Sequence, residues 1–257
     1  MAQNRLASVF AEKKNILNIY FTAGFPQLND TVPIIKDLQQ AGVDMIEIGV
    51  PFSDPLADGE TIQKSGLQAI DNGMTLSLLF EQLQGIRKEV HIPLLLMGYL
   101  NPVLQFGIEN FCKKCAEVGI DGIILPDLPL REYIEDYQAL FEKYNLSNVF
   151  LITPQTSEQR IRQIDEVAQG FIYVVSTTST TGTKSGTTDS QIPYFKRVKA
   201  MNLKTPTLIG FGISDKQSFE KANEYASGAI IGSAFIKMLG QSTDLGQDIE
   251  KFVKSIR

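Results

Sequence analysis

Eight short, almost wholly apolar runs recur along the chain: "ILNIYFT" from Ile16, "DMIEIGV" from Asp44, "IPLLLMGY" from Ile92, "IDGIILPD" from Ile120, "NVFLIT" from Asn148, "FIYVVS" from Phe171, "PTLIGFG" from Pro206 and "SGAIIGS" from Ser227. Continuous rather than alternating apolar character is what strands covered on both faces require. Between the runs lie amphipathic stretches such as "TVPIIKDLQQAG", "REYIEDYQALFEKYN" and "SEQRIRQIDEVAQG", several of them closing on Gly or Asn as helix C-termini do. The pattern predicts an α/β fold built from about eight βα units. A closed (β/α)8 TIM barrel uses that number, whereas an open doubly wound sheet has fewer strands and needs a topological switch point. The wide gap between the second and third runs holds "TIQKSGLQAIDNG" and "SLLFEQLQGIRKE", which predict an extra helix inserted after the second strand. The start, "MAQNRLASVFAEKKN", has polar and apolar residues at helical spacing and predicts an N-terminal helix packed on the surface.

Length adds that one large domain over residues 1–257 is favoured over two small ones, since no low-complexity spacer divides the chain. The net charge of −5, with no Lys/Arg-rich run interleaved with aromatics, argues against a nucleic-acid partner. The longest apolar run, around "IPLLLMGYL", is too short to span a bilayer, and the first residues lack the continuous apolar core of a signal peptide. A cytoplasmic protein is therefore expected, in which the sequons at Asn29 and Asn145 carry no meaning. Cys112 and Cys115 form a C-x-x-C, but in a helix-like stretch with no strand running straight into it, so a core-facing pair is expected rather than a redox site.

In such barrels chemistry gathers where strands end and βα loops begin. Glu47 sits there, near the end of the second run, between Ile46 and Ile48. A carboxyl among apolar neighbours is disfavoured as an anion, so it can carry a proton near neutral pH and serve as general acid and base. The competing reading is a buried ion pair. None of the eight runs contains Lys or Arg, so a partner would have to reach in from a loop. In the turn "SDPLADG" that follows, polar surroundings are expected to keep Asp54 and Asp58 ionised, with one of them able to accept a substrate N–H. For Asp58 the alternative is a helix N-cap.

"GFGIS" from Gly210 and "IGSAF" from Ile231 end the seventh and eighth runs and each leads into a helix. Small residues there let backbone N–H groups approach a phosphate, at the corner where barrels of this class hold one; tight-turn glycines are the alternative. The run "STTSTTGTKSGTTDS", Ser176 to Ser190, is long enough to act as a lid, or it is a plain connector. A single histidine argues against a metal site built from paired histidines and aspartates, and the absence of a strand lysine removes an obvious Schiff-base nucleophile. The residues thus point to acid/base chemistry without metal or cofactor on a small phosphorylated substrate.

The stretches "EIGVPFSDPLADGETIQ", "LLLMGYLNPV", "GIILPDLPLRE" and "GFGIS" closely resemble the tryptophan synthase α subunit family, with strand order and loop motifs matching over essentially the whole chain. The resemblance implies retro-aldol cleavage of indole-3-glycerol phosphate into indole and glyceraldehyde 3-phosphate. It implies that Glu47 protonates the indole carbon and helps remove the glycerol hydroxyl proton, while Asp58 holds the indole N–H. Tyr20, Tyr173 and Phe211 match positions lining the pocket, and the phosphate would rest on Gly182, Gly212, Gly232 and Ser233. Thr181 would meet Asp58 when the lid closes. Where the family commonly has Gly-Val-Thr-Gly, this chain has "STTG", Ser179 to Gly182. The resemblance also implies an α2β2 assembly with a β subunit that holds pyridoxal phosphate and receives indole through a tunnel. No pyridoxal phosphate is expected in this chain. Asp54, Pro55, Asn101 and Pro129 are candidates for the β contact, solvent-facing turn residues being the alternative.

Two other readings stay open at the level of sequence. A neighbouring phosphate-binding barrel of the same biosynthetic pathway would share the glycine corner, though the synthase that forms indole-3-glycerol phosphate relies on lysines at strand ends. A non-catalytic barrel that binds the ligand and only activates a β partner would not need Glu47 and Asp58.

Overall fold

The structure is a computed structural model and describes residues 5–55, 58–176, 191–210 and 212–257. Thr181, Gly182 and Phe211, together with the segment 177–190, lie outside the described residues.

All eight apolar runs form strands: β1 (Ile16–Thr22), β2 (Met45–Gly49), β3 (Leu94–Met97), β4 (Gly122–Ile124), β5 (Ser147–Ile152), β6 (Ile172–Val175), β7 (Thr207–Gly210) and β8 (Gly228–Ile231). They pair in sequence order, every pair parallel, and β8 closes on β1. Such a barrel has no free edge, so every strand is covered outside by helices and filled inside by side chains, which is why the runs are apolar throughout. The expected insertion after β2 is present as helices Glu60–Asp71 and Leu76–Gln82, followed by a 3-10 turn, Ile86–Lys88.

Alternate strand positions divide the core. Ile46 and Ile48 of β2 belong to the outer layer, with Ile34, Ile35 and Leu38 of helix Thr31–Gln40. Met45, Leu95, Ile124, Phe171, Leu208 and Ile230 belong to the inner cluster. The N-terminal helix, Arg5–Glu12, does more than the surface packing its sequence suggests. Leu6 is fully buried in the inner cluster and Phe10 packs on Phe171 with ring centroids 5.9 Å apart, so the helix plugs the end of the barrel where the strands begin. A Cβ at Gly122 or Gly170 would lie 3.2 Å from Leu6 Cδ1, so these two glycines make the room that Leu6 fills. Its burial contributes about 2 kcal/mol.

Two local features depart from the simplest reading of the sequence. The stretch "REYIEDYQALFEKYN" is not one regular helix: Tyr133–Tyr137 forms a π-helical turn between Leu130–Glu132 and Gln138–Lys143. That turn lets Tyr133 bury completely against Phe141 and Phe150, at centroid distances of 5.8 and 5.1 Å. Cys112 and Cys115 lie on helix Ile108–Val118, free and fully buried in the outer core. Burial, and secondarily Glu109, pushes the Cys112 thiol up to about 12, and burial holds Cys115 well above its ordinary value, so neither is a reactive thiolate.

Candidate active site

The strand pairing determines which side chains meet at the mouth. Register pairs Asn18 with Met45 and Tyr20 with Glu47 across β1 and β2, and Glu47 with Leu95 across β2 and β3. Met45 and Leu95 are inner-cluster residues. Strand alternation therefore aims Glu47, Asn18 and Tyr20 into the barrel as well. Glu47 is fully buried. Its Oε1 accepts a 2.6 Å hydrogen bond from Asn18 Nδ2, while Oε2 has no partner. Burial pushes the carboxyl from 4.5 up to about 8, and the Asn18 amide opposes that shift only in part. Among the described residues no Lys, Arg or His pairs with Glu47. The buried ion-pair reading is thus not realised, and the group can hold a transferable proton at neutral pH.

Asp58 departs from expectation in two ways. It is not a helix N-cap: Gly59 occupies that position and no side chain caps the helix. Nor is its carboxylate favoured by a polar turn. Burial raises its pKa, opposed by a 2.9 Å hydrogen bond donated by the Tyr99 hydroxyl to Oδ2. The ring of Phe52 lies against that of Tyr99, with centroids 5.2 Å apart. Asp54, by contrast, is exposed and accepts from Ser53 Oγ at 2.5 Å.

Two tyrosines floor the pocket in space that strand-end glycines vacate. A Cβ on Gly49 would collide with the Tyr20 hydroxyl, and one on Gly210 with the Tyr173 hydroxyl. Burial holds both phenols far above their ordinary range. The charge of Asp58 and Glu47 adds to the effect at each ring, so both tyrosines lie within reach of both carboxyls.

At the β7 and β8 corner, Gly212 has φ +78°, a conformation that favours glycine. The two helices that begin there are not equivalent. Helix Lys216–Asn223 is closed by an Asp215–Ser218 capping box, which occupies its N-terminal donors with an acidic side chain. Helix Ser233–Leu239 starts at Gly232 with no side-chain cap, so its first-turn N–H groups lack intrahelical acceptors. Of the two helix starts, the one at Gly232 and Ser233 thus keeps its first-turn N–H groups clear of a side-chain cap. A Cβ at Gly232 would sit 3.3 Å from Tyr20 Cδ1, which joins this corner to the carboxyl pocket.

The remaining sites lie in adjacent βα connections. Asp54 and Pro55 follow β2, Asn101 follows β3 and Pro129 follows β4; Asn101 is in the first turn of helix Leu100–Phe106 rather than in a loop, and Pro129 precedes helix Leu130–Glu132. Sequence reasoning missed Asn18 and Tyr99, the donors to the two carboxyls. The signal at Asn18 is slight: like Glu47 it is a polar residue flanked on both sides by apolar ones within its run. Among the described residues no cluster of three or more His, Cys, Asp or Glu could hold a metal ion, and no helix is long and apolar enough to cross a membrane.

This architecture defines a (β/α)8-barrel enzyme with paired, desolvated carboxyls at the C-terminal mouth of the strands. Residues 6–256 match the family model described as tryptophan synthase alpha chain. The chain belongs to that family. It is 61% identical over 254 residues to the tryptophan synthase alpha chain of Flavobacterium psychrophilum, covering 98% of this chain and 99% of the relative. It is 51% identical over 255 residues to that of Bacteroides thetaiotaomicron, covering 99% of this chain and 100% of the relative. Among solved structures, the tryptophan synthase alpha chain of Legionella pneumophila superposes with a TM-score of 0.85 at 30% identity, covering 99% of this chain and 96% of that one. A chain of aminoacrylate-bound tryptophan synthase from M. tuberculosis gives a TM-score of 0.85 at 27% identity, covering 99% and 98%.

Proposed function

We propose that Glu47 and Asp58 divide the work of the family's carbon–carbon lyase reaction. That reaction is the cleavage of indole-3-glycerol phosphate to indole and glyceraldehyde 3-phosphate. The neutral Glu47 carboxyl donates its proton to C3 of the indole, which becomes an indoleninium with positive charge at N1. Asp58 accepts a hydrogen bond from N1–H and stabilises that charge. The Glu47 carboxylate then takes the proton of the glycerol hydroxyl next to C3. As the O–H electrons form the aldehyde C=O, the C3–C bond breaks and its electron pair restores the indole. One proton enters at C3 and one leaves the hydroxyl, so Glu47 ends the cycle as it began.

The observation that carries this reading is the state of Glu47: fully buried, raised to about 8, bonded at one oxygen by a neutral amide and unpartnered at the other. Such a carboxyl is close to the ideal for a group that gives and regains a proton near neutral pH. Burial of Asp58 strengthens its interaction with a developing charge at N1. The phosphate is read as resting on Gly182, Gly212, Gly232 and Ser233, and Thr181 as the residue that meets Asp58; Thr181 and Gly182 lie outside the described residues.

The partner in this reading is a tryptophan synthase β subunit in an α2β2 complex, which holds pyridoxal phosphate and takes up the indole; a cytoplasmic site of action goes with that biosynthetic role. Its support is the mouth itself. Leu104, on the helix that carries Asn101, and Ile134, shortly after Pro129, are exposed large apolar side chains beside the proposed contact residues. The test is release of glyceraldehyde 3-phosphate from indole-3-glycerol phosphate by the purified chain, with and without a β subunit. Slow release that β accelerates and Glu47→Gln abolishes is expected. Release by Glu47→Gln at the native rate would remove Glu47 from its role.

A further inference from the structure

The Glu47 carboxyl must act as an acid in one half of the cycle and as a base in the other, so the group that holds it has to suit both states. A cation in contact would keep the carboxyl ionised and end its use as an acid. With no donor at all, the buried anion that follows proton transfer would be too costly. The structure supplies a donor between these extremes. Asn18 is fully buried on the inner face of β1, and its Nδ2 reaches diagonally across the β1–β2 pair to Glu47 Oε1 at 2.6 Å.

The bond also distinguishes the two carboxyl oxygens. Oε1 faces an N–H donor and cannot carry a proton toward it, whereas Oε2 is buried and unpartnered. The amide acceptor, Asn18 Oδ1, is itself buried with no hydrogen-bond partner. An orphaned buried amide oxygen costs stability and calls for an explanation, and here the bond from Asn18 Nδ2 to Glu47 supplies one. The other titratable groups facing Glu47 are Tyr20 from β1, Tyr173 from β6 and Asp58 from the loop after β2. Both phenols stay neutral, so neither sets a charge beside Glu47.

We propose that Asn18 is the positioning residue of the proton-transfer step: its amide fixes Glu47 Oε1 as an acceptor, so that the proton exchanged with substrate is carried on Oε2. The inference rests on the acid/base reading of Glu47. It adds to that reading which oxygen works and which residue sets its acidity.

The experiment compares wild type, Asn18→Leu, Asn18→Asp and Glu47→Gln in the purified chain with its β subunit, recording the pH profiles of kcat and kcat/KM for glyceraldehyde 3-phosphate release. Leu has the branching of Asn without its donor. Its loss should lower kcat by about tenfold with KM little changed, and should move the alkaline limb, set by the Glu47 acid, upward by about one pH unit. Carbon-13 NMR of the glutamate carboxyls supplies the readout a structural role would not move. The Glu47 resonance, assigned by its absence in Glu47→Gln, should titrate at higher pH in Asn18→Leu. An unchanged midpoint and limb would overturn the proposal. Should Asn18→Leu fail to fold, Asn18→Asp decides the matter: a second carboxyl at that position should share a proton with Glu47 and split the titration into two steps. A single, native-like step would overturn the proposal. An inactive Glu47→Gln beside a native Asn18→Leu removes Asn18 alone, whereas an active Glu47→Gln removes the reading beneath it.

Discussion

The two ends of the barrel treat buried carboxylates in opposite ways. Where the strands begin, Asp44 accepts from Leu17 N at 2.9 Å and pairs with Lys13 at 2.7 Å and with Arg257. Asp121 accepts from Leu94 N at 2.9 Å and pairs with Arg5 and Arg87 at 2.9 and 2.5 Å. Asp165 takes the N–H groups of Lys204 and Thr205 at 3.0 and 2.9 Å. These charges are saturated, and they tie the N-terminal helix, the C-terminal residue and the βα units to the strand starts. Where the strands end, among the described residues, Glu47 has one side-chain bond from a neutral amide and Asp58 one from a neutral phenol. Burial of a carboxyl therefore has two meanings: one given cations or backbone donors holds the fold, and one such as Glu47, bonded only by a neutral amide among the described residues, is free to exchange a proton.

The largest effect that would sharpen this comparison is on turnover. Glu47→Gln should lower kcat by roughly 10²–10⁴-fold while circular dichroism stays native-like and the unfolding midpoint stays native-like below about pH 4.5, where Glu47 is protonated in both the folded and the unfolded chain. The same substitution should alter the pH dependence of stability. Between about 4.5 and about 8 the folded chain keeps the Glu47 proton that the unfolded chain releases, so native stability falls as pH rises through that window. The slope is on the order of 1.4 kcal/mol per pH unit from this group alone. Urea titrations of Glu47→Gln should lack that component, leaving the variant more stable than wild type at pH 8; parallel curves would contradict the contrast between the two ends.

At the saturated end the expectation reverses. Asp121→Asn leaves the buried Arg87 guanidinium without its counter-charge and should cost about 3 kcal/mol in urea unfolding, with kcat of the folded enzyme unchanged. A loss of kcat without loss of stability would break the division. The smallest effect is at Tyr99. Tyr99→Phe removes the hydroxyl that opposes the rise of Asp58, and should reduce kcat/KM by about tenfold without moving the unfolding midpoint. Native kinetics would leave Tyr99 as a packing residue only.

The barrel was legible because each strand is buried on both faces and writes that burial into a continuous apolar run. Glu47 was legible for the same reason, as a charge in a setting that permits none without purpose. Asp58 was found by its motif but misjudged in its state, since its carboxyl is desolvated and bonded to Tyr99, a tyrosine distant in sequence. Asn18 went unread because an uncharged amide perturbs hydropathy too little to stand out, and its diagonal reach to Glu47 exists only once β1 and β2 are in register. The capping box at Asp215 likewise decides between two glycine loops that look alike in sequence.

The central claim is that Glu47 enters the reaction as a protonated acid at neutral pH because, among the described residues, it is buried without the cations that its counterparts Asp44 and Asp121 receive at the other end. The most direct measurement is a carbon-13 NMR titration of the Glu47 carboxyl in the purified chain. A midpoint near 8 is the result this account predicts, and a midpoint near the ordinary glutamate value of about 4.3 would contradict it.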